Sequence, residues 1–162
     1  MEKLIKTIQK KWLSAKQKAV KLCESQGKLT LAKKIAECEM FRGDESLEEL
    51  INLMFSPQGI EFLTTFNFPD VATFRKFKKY HPEQYGVYID KGEISLVEPR
   101  RAFLIGDTTA EILFEETAGN RVNLMCGARA TITARGYSLI RIEKDAFSEV
   151  KVNAEEHSKV ML

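Results

Sequence analysis

A chain of 162 residues, 44% apolar and 30% charged, is long enough to bury a core of its own and too apolar to stay disordered throughout. Three cysteines, Cys23, Cys38 and Cys126, form no CxxC pair, which argues against a disulfide framework or a zinc site, and no apolar run reaches membrane-spanning length. The net charge of +2 conceals an asymmetry, because residues 1–36 hold ten lysines against only Glu2 and Glu24 while the remainder is acidic.

Residues 2–26 predict a long helix, since Leu4, Ile5, Ile8, Trp12, Ala15, Ala19, Leu22 and Cys23 recur every three or four positions and fill one stripe. Lys3, Lys6, Lys10, Lys18 and Lys21 fall on the opposite side. Gly27 is a suitable stop, and Leu31, Ile35, Cys38 and Phe41 mark a second helix that would close a helical hairpin. Asp44-Glu45-Ser46 offers cap residues for a third helix carrying Leu47, Leu50, Ile51, Met54 and Phe55. Pro57 can open a fourth with Ile60, Phe62, Leu63 and Phe66, which Asn67-Phe68-Pro69-Asp70 would break before Val71, Phe74 and Phe77 resume helical spacing.

The pattern changes near residue 84. Val87 and Ile89 alternate with polar neighbours, as do Ile94 and Leu96, and the intervening Asp90-Lys91-Gly92-Glu93 reads as the turn of a hairpin. From Ile112 onward an apolar residue returns at every tenth position, through Val122, Ile132, Ile142 and Val152 to Leu162. Ala110, Ala130, Ile140, Val150 and Val160 precede them by two, with Asn120 the one polar break. An even period keeps the same parity inward in every unit, so short strands can share one core while Thr131, Thr133, Arg141, Glu143, Glu149 and Lys151 face water. The fold class is therefore α+β: a helical region over 1–84 with a basic N-terminal hairpin, then a strand region over 85–162. A β-solenoid with two strands per coil would stack Ile112 on Ile132 and Val152. The alternative, an antiparallel meander, would set Ile112 beside Val122. The scarcity of Asn-Gly and Asp-Gly turns favours the solenoid.

The stretch Phe55-Ser56-Pro57-Gln58-Gly59-Ile60-Glu61-Phe62, with Asn67-Phe68-Pro69 and Tyr85-Gly86-Val87-Tyr88-Ile89-Asp90, resembles a group of uncharacterised proteins of gut Bacteroidetes linked to mobile elements. Residues 128–142 are similar to the strand-repeat tails of that group. The resemblance implies a helical front and a strand-repeat back, and it carries no activity and no site residues.

Catalytic patterns are poor. His81 and His157 have no metal-pair spacing and join no nucleophile motif, and no glycine loop precedes a Lys-Ser or Lys-Thr pair. Glu115-Glu116 and Glu155-Glu156 read as solvated turn charges, because adjacent strand residues point to opposite faces. No catalytic, metal or cofactor residues are assigned, and the expectation is a cytoplasmic protein that does not engage membranes. The strongest signals concern assembly. They predict a non-catalytic structural or protein-interaction module that forms homo-oligomers through an exposed edge strand near Leu162 and meets an unidentified protein partner. The alternative is nucleic-acid binding through Lys3, Lys6, Lys10, Lys11, Lys18 and Lys21, joined by Arg75, Lys76, Lys78, Lys79 and Tyr80 of a basic and aromatic segment over 74–85.

Overall fold

The computed structural model describes residues 1–66, Phe68 and residues 70–162, with the side chains of Glu61 and of residues 63–66 outside the description. Asn67 and Pro69, expected to break a helix, and the burial expected of Leu63 and Phe66 lie outside the described residues. The chain divides into two compact units, Met1–Thr73 and Phe74–Leu162. The change from helical to extended backbone falls at Gly86 and Val87, close to the expected residue 84, so the helical turns of residues 74–85 belong to the second unit.

In the first unit, α1 (Glu2–Ser25) buries Leu4, Ile5, Ile8, Trp12, Ala15, Ala19 and Cys23, the expected stripe except for Leu22, which is exposed. Trp12 meets Phe41 edge-on at 5.6 Å, and Phe41 meets Phe68 at 5.8 Å, so the single tryptophan is a core residue. α2 (Leu29–Glu37) ends sooner than its apolar spacing implied: Cys38 is already extended, and Phe41 reaches the core from a loop. That loop is tied down by Glu45, whose buried carboxylate accepts from the main-chain N–H groups of Arg42 and Gly43. α3 (Leu47–Met54) starts with a reciprocal capping box, Ser46 accepting from Glu49 N and Glu49 accepting from Ser46 N. α4 (Pro57–Phe66) follows almost at once. The close approach requires Gly59, where a Cβ would overlap the carbonyl oxygens of Leu53 and Met54.

The second unit begins within α5 (Val71–Arg75), passes through two short 3-10 turns, Lys78–Tyr80 and Pro82–Tyr85, and then forms nine strands in two parallel sheets. The strands are β1 (Val87–Ile89), β2 (Gly92–Val97), β3 (Arg101–Ile105), β4 (Thr108–Phe114), β5 (Gly119–Met125), β6 (Arg129–Ala134), β7 (Leu139–Lys144), β8 (Glu149–Ala154) and β9 (Lys159–Met161). Odd-numbered strands make one sheet and even-numbered strands the other. The tail is thus a β-solenoid of about four turns. The meander is excluded because every pairing is parallel and joins alternate strands. For the same reason β1 and β2 are not a hairpin: they lie in different sheets, as the first coil of the stack. Asp90, with φ of 46°, rounds a solenoid corner there.

Register confirms the decade rhythm from Ile112 to Val152, whereas Leu162, the last member of the series, lies beyond β9 and is exposed rather than stacked on Ile142. Ile112 lies on Ile132 and Ile132 on Val152, while Val122 lies on Ile142 in the facing sheet. Asn120, the polar break, sits under Ile140 and is nonetheless buried, its side-chain amide donating to Ala118 O at 3.4 Å. The first coil is shorter. Val87 aligns with Phe103 and Gly92 with Thr108, a step of 16 residues, whereas Arg101 aligns with Arg121 and Thr109 with Arg129, a step of 20. The four missing residues come from the corner between β2 and β3, and because four is even the inward parity survives. On the odd-numbered sheet Val87, Ile89, Phe103, Ile105 and Met125 have outward parity and are also buried, as a two-sided parallel sheet demands.

Candidate interaction surfaces

The basic residues sort into free and engaged groups. Lys11 donates to Asp70 and to Thr73, both at 2.6 Å, and this ammonium together with the Thr73 hydroxyl holds the Asp70 carboxyl at about 2. Lys6 pairs with Glu2 one turn away. Arg75 makes a forked pair with Asp90 at 2.8 and 3.2 Å, Lys78 approaches the same carboxylate at 3.6 Å, and Asp107 N donates to it at 3.0 Å. The Arg75 guanidinium is the main reason the Asp90 carboxyl lies at about 2. Lys79 sits 4.9 Å over the ring of Tyr80, which is half-buried, while Phe74 and Phe77 are core residues. Of the basic residues singled out for nucleic-acid contact, Lys3, Lys10, Lys18, Lys21 and Lys76 keep ammonium groups without a partner among the described residues. The segment over 74–85 is accordingly a clasp on the first solenoid corner, built around Asp90.

One basic feature escaped the sequence reading. Arg101, Arg121 and Arg141 occupy one column of the odd-numbered sheet, separated by a single coil each. Like charges on adjacent strands repel. Arg101 is relieved by Tyr85 O at 3.3 Å and by the Phe103 ring at 5.7 Å, and Arg141 by Glu143 at 2.8 Å. The half-buried Arg121 guanidinium has no partner among the described residues. A search for charged residues at the coil interval of 20, rather than for apolar ones at ten, would have found this column.

Glu115, Glu116, Glu155 and Glu156 are exposed, as expected of solvated turn charges, and three of them also make structural contacts. Glu115, Arg135 and Glu155 stack at one corner as an alternating ion ladder, with contacts of 3.2 and 2.9 Å. Glu98 accepts from the N–H groups of Glu115 and Glu116, Glu156 from Gly136 N, and Asp145 from Cys126 N at 2.6 Å. Each takes up a turn N–H that the next coil cannot reach. His157 stacks on Tyr137 at 4.9 Å, and the exposed His81 has its Nδ1 3.5 Å from Glu83. Among the described residues no cluster of three or more His, Cys, Asp or Glu could hold a metal ion, and no helix is long and apolar enough to cross a membrane.

The last coil stands apart. β8 and β9 are each paired on one side only. Val150, Val152 and Val160 point into the core, yet they are only partly buried, whereas the residues one coil earlier, Ala130, Ile132 and Ile140, are buried. Met161 is 49% exposed and Leu162 is 84% exposed. The coil of β8 and β9 therefore presents a cross-section of the core, flanked by two rows of main-chain groups without a second strand partner among the described residues.

Comparison with protein-family models, with curated proteins and with solved structures gave no match, so function is argued from these surfaces.

Proposed function

We propose that the protein is a non-catalytic structural and protein-interaction module that self-associates through the open last coil of its solenoid. The observation that carries this reading is the graded burial along one column, complete at Ile132 and partial at Val152. A parallel coil paired on one side only leaves both apolar side chains and strand N–H and C=O groups half-served. A second copy of the same coil supplies what both lack. Lys151 and Lys159 blunt the edge only on the outward parity and leave the inward valines uncovered.

Sedimentation equilibrium over a wide concentration range tests it. The expected result is a mass above that of one chain, returning to one chain in Val152→Lys, whose half-exposed site lets the charged end reach water so that the coil still folds. A wild-type protein that remains one chain at the highest concentration overturns the reading.

A second reading, nucleic-acid binding, draws on the free ammonium groups of Lys3, Lys10, Lys18 and Lys21 along α1 and of Lys76 in the second unit. Arg75, Lys78 and Lys11 contribute little to it, because each is held by a carboxylate. Phosphate contacts weaken steeply with salt. Labelled single- and double-stranded oligonucleotides should bind at low ionic strength, with a log–log salt slope of about −3 to −4 if four lysines each meet a phosphate. Absence of binding at low salt ends this reading.

A further inference from the structure

We propose that the helical unit carries a docking groove for an acidic amphipathic helix of a partner protein, formed between α1, α2 and α4. The starting point is how little α2 buries. It is nine residues long, and of its side chains only Ala32 is buried. A free helix of that length is marginal in water and needs an apolar face packed against a neighbour. Yet Leu31 is 47% exposed and Ile35 half-exposed, and on α1 Leu22, which belongs to the buried stripe by spacing, is 44% exposed. These side chains, with Met40 and Phe62, line a single groove of about 420 Å³. It is an unfilled position of a small helical packing, in which no element among the described residues covers the seam of the hairpin's two helices.

Charge selects the occupant. Lys28 and Lys34 stand on the groove, and no carboxylate is among the described residues that line it. Over residues 16–38 the chain places six lysines against Glu24 and Glu37. A helix laid in this seam would meet leucine-sized sockets along its apolar side and ammonium groups along its flanks. The complementary sequence is apolar at i, i+3, i+4 and i+7 with glutamate or aspartate between. The groove follows residues 19–26 of α1, roughly 10 Å of helix axis, and the somewhat longer course of α2, which suits two to three turns of a guest helix. This inference is independent of the last solenoid coil, because the two surfaces belong to different units.

The test uses the full chain and a labelled synthetic peptide with leucines on one helical face and glutamates on the other. Two controls accompany it, a scrambled peptide of the same composition and the corresponding leucine–lysine peptide. Saturable fluorescence anisotropy is expected with the glutamate peptide alone. It should weaken at least about tenfold in Leu31→Glu, about 1.4 kcal/mol, and that surface substitution should leave the melting temperature unchanged. The double variant Lys28→Glu with Lys34→Glu keeps the sockets and should reverse the preference toward the lysine peptide, which a groove without a charge role would not do. Equal binding of the scrambled peptide, or full affinity in Leu31→Glu, overturns the proposal. So does binding of anionic vesicles without binding of the peptide, which would make the groove a lipid site. Loss of self-association in Leu31→Glu without any peptide binding also overturns it, because the occupant would then be a second copy.

Discussion

Asp90 joins three separate residues of the second unit through one carboxylate. Its φ of 46° lets the chain turn from one sheet to the other, and its carboxylate joins Arg75 and Lys78 to the N–H of Asp107. Asparagine tolerates left-handed backbone as well as aspartate does, so Asp90→Asn removes the charge and keeps the turn. The variant is expected to lose on the order of 1–2 kcal/mol at neutral pH, discounted because Arg75 is half-exposed. The pH dependence follows from the direction of the shift. The carboxyl lies at about 2 in the folded chain against 3.8 ordinarily, so the unfolded chain binds more protons between these values. The stabilisation is present above about pH 4 and is lost as pH falls toward about 2. Denaturant melts of wild type and variant should therefore differ at pH 7 and converge near pH 2. Asp70, held at about 2 by Lys11 and Thr73, contributes to the acid sensitivity of both proteins alike.

At the scale of the element, the solenoid converts one sequence interval into columns of equivalent side chains whose cost of removal depends only on their place in the stack. Ile132, enclosed by Ile112 below and Val152 above, should lose about 2–5 kcal/mol on truncation to alanine. Val152→Ala, at the half-exposed end of the same column, should lose about 1 kcal/mol or less. Urea melts of the two variants at a dilution where the chain is monomeric check the gradient, and the loss at Val152 should grow toward that at Ile132 as rising concentration brings a second copy onto the last coil. The columns were legible in advance because strand parity is a two-residue code that any even interval preserves. Direction was not legible, since Val87–Ile89 and Ile94–Leu96 satisfy a hairpin and a solenoid corner equally well. Only the aligned steps of 16 and 20 decide between them. A second decade signal went unread: Thr108, Ala118, Ala128, Ser138, Ser148 and Ser158 place a small residue at each corner, where a larger side chain would meet the neighbouring coil. The helical unit was read well where capping chemistry is local, as at Ser46, the N-cap of α3. It was misread at α2, whose apolar spacing promised burial that, among the described residues, is complete only at Ala32. The basic residues showed the converse, because carboxylates distant in sequence, Asp70 for Lys11 and Asp90 for Arg75, engage them.

At the scale of the whole molecule the two ends of the solenoid differ, and that difference limits how copies can join. The first coil is the short one, with a step of 16, and the turn Pro82–Tyr85 packs against β1 while Gly86 O accepts from Phe103 N at 2.8 Å. It has no counterpart to the rung that carries Ala154 and Val160 in the last coil. Head-to-tail stacking would leave that rung without a partner at every junction, and a filament would repeat the defect. Joining last coil to last coil about a two-fold axis pairs the rungs of that coil reciprocally with one another, so that both copies use the same open face. Association should accordingly stop at two chains. Sedimentation velocity at rising concentration is expected to show one heavier boundary that sharpens without advancing further, and negative-stain images should show no fibres. A boundary that keeps moving to larger species would mean that the short first coil also accepts a neighbour, through the unpaired side of β2 where Val97 stands 71% exposed. Val97→Lys distinguishes the two cases: it should leave a two-fold pair intact, because β2 lies at the far end of the stack from the paired coils, and it should dissolve a head-to-tail chain.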